Sequence, residues 1–320
     1  MKHAITSVLF VMLLAYSSII QSPSISSAAG STPSTSSILA GVDYSSVNEL
    51  LAHALMNAGI GWIRADVGYP DFPVTYSIAQ KYNLSIIGIL DYNTVNFNNS
   101  FTLDDWKNAV AEAQRSYPHV EVWEIWNEPT NKEFQLGYMD GTPQHYLDLL
   151  RSAYAILKTA NPSYVVLGLG GAQLGNPKDY ALAAAVLTSG GNAFMDAISI
   201  HAYPYSLNIG QDWPFYKQDW AAELSKYKQF GKPFWVTETG LQSTQMNESD
   251  QSAYLENSYR FFEEEGASAY VWYQLIDYQS NGKLIGWGLL RQDMSLKPSY
   301  VTYEELVKTA SQQLLVRRRA

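Results

Sequence analysis

Short runs of β-branched and aromatic residues alternate along the chain with longer stretches whose apolar positions recur every three or four residues. The short runs predict strands: Ile38–Val42, Trp62–Asp66, Ser85–Leu90, the front of Val120–Pro129, Tyr164–Gly170, Asp196–His201, Phe234–Glu238 and Ala269–Gln274. The longer stretches predict helices over Val47–Ala58, Thr75–Tyr82, Leu103–Ser116, Pro143–Thr159, Tyr180–Leu187, Trp220–Phe230, Asp250–Glu265 and Tyr300–Leu315. In Pro143–Thr159 the apolar face is explicit: Tyr146, Leu149, Leu150, Ala153, Ile156 and Leu157 fall on one side. Thr102, followed by Asp104 and Asp105, has the chemistry of a helix N-cap and first turn.

Strands that are apolar nearly throughout, each followed by an amphipathic helix, imply a parallel sheet covered on both faces. Eight such pairs fit a closed (β/α)8 barrel, the TIM-barrel architecture, as a single α/β domain over residues 38–315. No glycine fingerprint follows the first strand, which argues against a dinucleotide fold. Gly168-Leu169-Gly170-Gly171 lacks the Lys-Ser/Thr of a phosphate loop and reads as a tight strand-to-loop turn. A long loop, Leu275–Leu296, separates the last strand from the last helix.

The two ends depart from this pattern. A basic Met1-Lys2-His3 precedes the largely apolar Ala4–Ile20, and small residues follow at Ala28 and Ala29. Residues 1–29 therefore read as a secretion signal; an uncleaved N-terminal anchor is the alternative, disfavoured because the run is short and serine-rich for a membrane span. Residues 30–37 read as a Ser/Pro-rich linker and 316–320 as a basic tail. The chain has no cysteine, which excludes disulfides and thiolate metal sites. Its five histidines lack ligand-like spacing, so no metal and no cofactor are expected. A formal charge of −9 argues against a nucleic-acid partner, although it does not hinder a neutral glycan. Asn83, Asn98 and Asn247 each begin an Asn-x-Ser sequon.

The chemistry concentrates at strand ends. Val120–Pro129 reads VEVWEIWNEP: an apolar strand that delivers Asn127 and Glu128 just before a proline stops it. Pro233–Gly240 reads PFWVTETG and delivers Glu238 in the same way. In a barrel both acids would stand at the C-terminal mouth, where catalytic groups of this fold sit. Two carboxylates flanking a bond are what glycoside hydrolysis needs, and a pair about 5–5.5 Å apart is the retaining geometry. Asp43, Tyr44, Asp66, Asp91 and Asn93 also end strands, where substrate binding and turn capping are equally open readings. Trp213, Phe215, Tyr216 and Trp287 are loop aromatics for which an outer subsite and packing are likewise open. Trp123 and Trp126 read as core.

With WNEP on the fourth strand and WVTETG on the seventh, the chain resembles the retaining glycoside hydrolases of clan A, the barrel group that includes families 5 and 39. The resemblance runs from about Ile38 to the last helix, and Gly288-Leu289-Leu290 and Lys297-Pro298-Ser299-Tyr300 are similar to the clan's usual ending. It implies that Glu128 is the acid/base, protonated at rest, and Glu238 the nucleophile. It further implies that Asn127 bonds the sugar 2-hydroxyl and that Arg64 keeps the nucleophile ionised. His201 and Tyr203, from HAYPY, would bind substrate and orient the nucleophile; Trp272 would form the floor beneath the sugar. The expected function is then a secreted retaining β-glycosidase acting on an oligo- or polysaccharide, of endo-β-glucanase or mannanase type. An exo-acting β-xylosidase or β-glucosidase is the nearest alternative, and a non-catalytic carbohydrate-binding barrel is the alternative from another class.

Overall fold

A computed structural model describes residues 38–96, 100–204 and 213–317, without the side chains of residues 213–216, 311 and 313–317. The signal, the linker, the side chains of the basic tail, Asn98, and the rings of Trp213, Phe215 and Tyr216 lie outside the described residues. Eight parallel strands close on themselves in chain order: β1 (Leu39–Asp43), β2 (Trp62–Asp66), β3 (Ser85–Leu90), β4 (Val122–Ile125), β5 (Val165–Gln173), β6 (Ala197–His201), β7 (Phe234–Thr239) and β8 (Ala269–Tyr273). Around them lie α1 (Glu49–Ala58), α2 (Phe72–Tyr82), α3 (Leu103–Ser116), α4 (Pro143–Ala160), α5 (Pro177–Thr188), α6 (Trp213–Lys228), α7 (Glu248–Glu264) and α8 (Pro298–Arg317). The expected (β/α)8 barrel is the observed one. Among the described residues no helix is long and apolar enough to cross a membrane.

Strand alternation divides the core in two. Trp62, Ile87, Val122, Leu167, Ala197, Trp235, Ala269 and Val271 point inward and fill the lower barrel. The residues that alternate with them in each strand pack outward beneath the helices with the rest of the apolar residues. Closure is tied by Tyr303 of α8, whose hydroxyl accepts from the Gly41 amide at 3.0 Å and lies 2.9 Å from the carbonyls of Gly41 and Tyr270. Thr102 caps α3 in a reciprocal box with Asp105, as its position before Asp104-Asp105 predicts.

Three local structures differ from the pattern-based expectation. The loop after β8 contains a small antiparallel hairpin, β9 (Tyr278–Ser280) and β10 (Lys283–Ile285), turned at Asn281-Gly282. Both turn residues have positive φ, as the inverse hairpin turns require. This loop is anchored below by the buried Lys297, which donates to Asp277 at 2.7 Å and to Ser243 at 2.9 Å. The second difference is a bulge in β7. Ile200 pairs with Val236 but the next residue, His201, pairs with Glu238, so Thr237 and Glu238 both face inward.

The third difference is in β5, where the glycine cluster is a wide bulge inside the strand and not the turn that ends it. Gly168 pairs with Ile198 and Ala172 with Ile200, so Leu169, Gly170 and Gly171, all at positive φ, stand opposite Ser199 alone and two residues are extra. The bulge has two tasks. The Gly170 carbonyl accepts the Glu128 amide at 2.6 Å, and Gly171 opens the space in which the His201 ring lies. A Cβ on Gly171 would stand 2.1 Å from His201 Nε2, at a φ of +75°. Gly171→Ala should therefore destabilise the chain by about 1–3 kcal/mol. Because the ring itself must move, any catalytic activity that uses His201 should fall more steeply than the folded fraction. Comparing Tm with kcat checks this; a variant that loses only stability would show that the ring has another place to go.

Candidate active site

The C-terminal ends of β1, β2, β4, β6 and β7 bring a continuous polar network to the barrel mouth, directly above the apolar interior. Its hub is Arg64, 1% exposed, on β2. Arg64 Nε donates to Glu124 at 2.5 Å, one terminal nitrogen to Glu238 Oε1 at 2.5 Å and to Asp43, and the other to Asn127 Oδ1 at 3.0 Å. Alternation explains the convergence: Asp43, Arg64, Glu124, Ser199 and His201 share the inward parity of their strands, and the β7 bulge turns Glu238 in beside them.

Glu238 has donors on both oxygens. Arg64 holds Oε1 and the Tyr203 hydroxyl donates to Oε2 at 2.7 Å. The fully buried imidazole of His201 stands between the two acids, with Nδ1 3.0 Å from Glu128 Oε1 and Nε2 3.4 Å from Glu238 Oε1. One carboxylate oxygen of Glu128, one of Glu238 and an imidazole nitrogen lie within 4.8 Å of one another. Glu128 is the more open acid, 27% exposed against 10% for Glu238, and its other oxygen accepts from Asn131 at 3.0 Å. Its backbone and that of Trp126 have left-handed φ, 43° and 70°, uncommon for side-chain-bearing residues. Trp126 is held there by full burial against Phe101 and Trp106.

Six of the seven residues singled out from the sequence meet here: Arg64, Asn127, Glu128, His201, Tyr203 and Glu238. Trp272 does not. On β8 it alternates with the inward Val271, so its fully buried ring packs outward against Tyr254 of α7, and its indole nitrogen donates to the Trp287 carbonyl. The aromatic faces at the mouth are instead Tyr273, one residue on, and Trp287 beneath the hairpin, which with Tyr203 form a half-buried corner with centroids 5.5–6.4 Å apart. Four polar residues of the network were missed: Glu124, Asn131, Ser199 and Thr237. Glu124, fully buried, is bonded by Arg64, Ser199 and Thr237; its signal is a lone acid inside the apolar VWEIW. Asn131, bonded to Glu128, had none. Asp66, Asp91 and Asn93 are buried and accept from or donate to one another and the amides of their own turns, so they build loops.

Charge balance sets the proton positions. Burial favours the neutral form of Glu128, but the His201 hydrogen bond and charge, the Asn131 amide and Arg64 together outweigh it and bring its pKa down to about 2. Burial likewise favours neutral His201, and the charges of Glu238 and Glu128 overcome it and raise its proton affinity. The two directions favour a proton on the imidazole and an ionised Glu128 in the free site, where the sequence reading expects the proton on Glu128. Asp43 goes the other way: burial, reinforced by Glu238 and only partly countered by Arg64, raises it to about 7. Burial raises Asp66 to about 6.

These shifts have opposite signs for stability. Asp43 and Asp66 bind protons more tightly folded than unfolded, so their contribution is present at low pH and lost as pH rises from about 4 through about 7. Glu128 contributes above its unfolded value of 4.5 and loses that contribution as pH falls toward 2. These three shifts together should thus place the peak of thermal stability near pH ~4. Asp43→Asn should lose less Tm than the native chain between pH 5 and 8, and calorimetry showing equal losses would overturn the assignment of that slope to Asp43.

Comparison with known proteins places this geometry. The barrel resembles that of a family 39 glycoside hydrolase from the gut symbiont Bacteroides cellulosilyticus WH2, at 24% identity and a TM-score of 0.63, covering 85% of this chain and 64% of that one. A glucosidase from Croceicoccus marinus aligns at 13% identity and a TM-score of 0.66, covering 85% of this chain and 67% of that one. A β-glucuronidase from Faecalibacterium prausnitzii aligns at 14% and 0.62, over 85% of this chain and 49% of that one. At these identities the likeness is one of fold, and the chain spans less than two thirds of the first of these proteins and about half of the third. No match was found among the curated proteins. The cellulase family, glycosyl hydrolase family 5, matches residues 48–277, a span that holds every residue of the network except Asp43. The chain belongs to that family of clan A glycoside hydrolases.

Proposed function

We propose that the protein hydrolyses a β-linked glycan with retention, by double displacement, with Glu238 as nucleophile and Glu128 as acid/base. The observation that carries this is the approach of the two carboxylates, with oxygens within 4.8 Å across one imidazole. That fits a retaining pair at about 5–5.5 Å and leaves no room for the water that an inverting pair, about 6.5–9.5 Å apart, must admit. The unequal surroundings assign the roles. Glu238, with two donors and the guanidinium, is an anion aimed at the mouth; Glu128, more open and tied to His201, is the group that exchanges a proton.

Glu238 attacks the anomeric carbon as its bond to the leaving oxygen breaks. Glu128 takes a proton from His201 Nδ1 along the 3.0 Å contact and passes it to that oxygen, which leaves Glu128 ionised and the imidazole neutral. The products of this half are the departed alcohol and a glycosyl ester on Glu238. Glu128, ionised again, then takes a proton from water, whose oxygen displaces the ester. Arg64 keeps Glu238 a good nucleophile and a good leaving group. Asn127, its carbonyl oxygen committed to Arg64, turns its amide N–H toward the position of a sugar 2-hydroxyl. The Tyr273–Trp287 corner supplies the apolar face on which a sugar ring settles.

The acidic, unspecialised surface and the aromatic faces at the mouth support an endo-acting enzyme on a neutral polymer such as a β-glucan or mannan. In the same reading residues 38–315 form the catalytic domain and residues 1–29 direct the chain to secretion.

Glu238→Ala should abolish turnover on every glycoside. Glu128→Ala should lower kcat on β-glycans by about 10²–10⁴. It should nevertheless release dinitrophenol from an activated glycoside in a burst, leaving a glycosyl adduct on Glu238 visible by mass spectrometry. Full β-glycan activity in both variants, or a product of inverted anomeric configuration by NMR, would rule the mechanism out.

A further inference from the structure

The ion pair between Lys297 and Asp277 lies apart from the network around Arg64 and takes no part in the proton transfers. Among the described residues Lys297 is the one buried lysine, 1% exposed, and its ammonium stands 2.7 Å from Asp277, itself 5% exposed. Stability explains a buried pair of this kind poorly, because apolar side chains of similar volume fill such a space equally well or better. What the pair adds is direction: charged donors and acceptors fix the groups they bond in one orientation.

Those groups are the backbone of one tripeptide, Gly286-Trp287-Gly288. On one side of the tryptophan, Asp277 accepts from the Gly288 amide at 2.7 Å. On the other, the Gly286 carbonyl accepts from the Lys297 ammonium at 3.4 Å and from the Ser243 hydroxyl at 3.1 Å. Lys297 also donates to that hydroxyl at 2.9 Å, and buried Gln251 adds its side-chain amide to the same carbonyl at 2.9 Å. The Trp287 carbonyl accepts from the Gln274 amide at 3.2 Å and from the Trp272 indole at 3.0 Å. Neither glycine leaves room to slide. A Cβ on Gly286 would stand 2.5 Å from Ser243 Oγ, and one on Gly288 2.3 Å from the Asp277 nitrogen.

The indole held in this way is half-buried and leans on the surroundings of the nucleophile. It meets the Tyr203 ring edge-on with centroids 5.5 Å apart, and Tyr203 donates to Glu238 at 2.7 Å. Its six-membered ring also lies over Gly240, just past Glu238, where a Cβ would come within 3.2 Å of it. Tyr203 stands beyond the end of β6, so sheet pairing does not fix its ring. Support has to come from elsewhere, and Trp287 supplies it.

We propose that Lys297 and Asp277 are positioning residues for the nucleophile: they hold Trp287 as a wedge, and Trp287 holds the Tyr203 hydroxyl on Glu238. The proposal rests on the nucleophilic role of Glu238. A carboxylate attacks efficiently from one orientation, and the bond from Tyr203 to Oε2 helps to set it. Loosening the wedge frees the tyrosine ring and with it that bond. Removing one partner alone would leave the other charge buried without a counterion, so the pair is best replaced together.

The test is kcat and KM of the full chain on dinitrophenyl β-cellobioside and β-mannobioside, whose cleavage reads attack by the nucleophile. Lys297→Met/Asp277→Leu should keep the native Tm or exceed it. Its kcat should nevertheless fall about ten- to a hundredfold, with KM changed far less. Ser243→Ala, which keeps the ion pair and removes the hydroxyl between Lys297 and the Gly286 carbonyl, should lower kcat in the same way to a smaller extent. Added to Trp287→Ala, the paired substitution should cost no further kcat, since the ring through which it acts is gone. In fluorotryptophan-labelled protein the Trp287 resonance, identified by its loss in Trp287→Ala, should be sharp in the native chain and broadened or split in the paired variant. Native kcat in the paired variant and in Ser243→Ala, losses that add to those of Trp287→Ala, or an unaltered Trp287 resonance would overturn the proposal while leaving the hydrolase reading intact. A native chain that cleaves no β-glycan or dinitrophenyl glycoside and forms no adduct on Glu238 would overturn the hydrolase reading, and with it this one.

Discussion

A single guanidinium, sealed from water at the barrel mouth, is the constraint from which the rest of the site follows. An arginine in that position is costly unless each of its N–H groups finds an acceptor and its charge is balanced. Arg64 meets both demands by gathering Glu124 below it, Asp43 and Glu238 beside it and Asn127 above. Carboxylates that would otherwise repel one another are thereby held in a small volume. The arrangement has no slack, since removing any partner leaves a buried charge uncompensated. Glu124 matters for this reason although it lies below the cleft: fixed by Ser199 and Thr237, it fixes in turn the plane of the guanidinium that faces Glu238.

The second constraint is electrostatic. More acids than cations share the mouth, so protons must reside there, and geometry decides where. His201 touches both Glu128 and Glu238 and takes one; Asp43, which has only a share of Arg64, keeps its own until about neutrality. The shifts of His201 and Glu128 thus both favour the imidazole as the holder of the shared proton. In the proposed mechanism, a proton transfer of one hydrogen-bond length makes Glu128 the neutral acid that bond cleavage needs. That transfer belongs to the hydrogen-bonded pair and not to Glu128 alone.

Two bulges place the pair. In a regular β7, Glu238 would share the parity of Val236 and face the helices; the extra residue at Thr237 reverses it. In β5 the left-handed run Leu169–Gly171 supplies a carbonyl for the Glu128 amide and a flat floor for the His201 ring. Bulges beside functional groups re-aim side chains where unbroken pairing cannot. Here the β5 bulge serves Glu128 and His201, and the β7 bulge serves Glu238. The left-handed backbone at Trp126 and Glu128 belongs to the same solution, and the burial of the Trp126 ring holds the strained turn in place.

The amino-acid sequence by itself determined the eight strand–helix units, because apolar periodicity is a local property that needs only the next few residues to be read. It determined as well that Glu128 and Glu238 stand at the ends of strands four and seven; closure of the barrel brings those ends to one mouth, and the β7 bulge turns Glu238 inward there. What only the tertiary structure decided is which way side chains face and where protons rest. Trp272 and Tyr273 are equally aromatic neighbours, and strand parity within the closed sheet sends one under α7 and the other to the mouth. Glu124 is a single acid in an apolar run until Arg64 arrives from a strand sixty residues away. The glycines of β5 could as well have ended a strand; their use depends on an imidazole delivered by β6. Each of these depends on contacts between distant segments, and a pattern read along one segment carries no information about them.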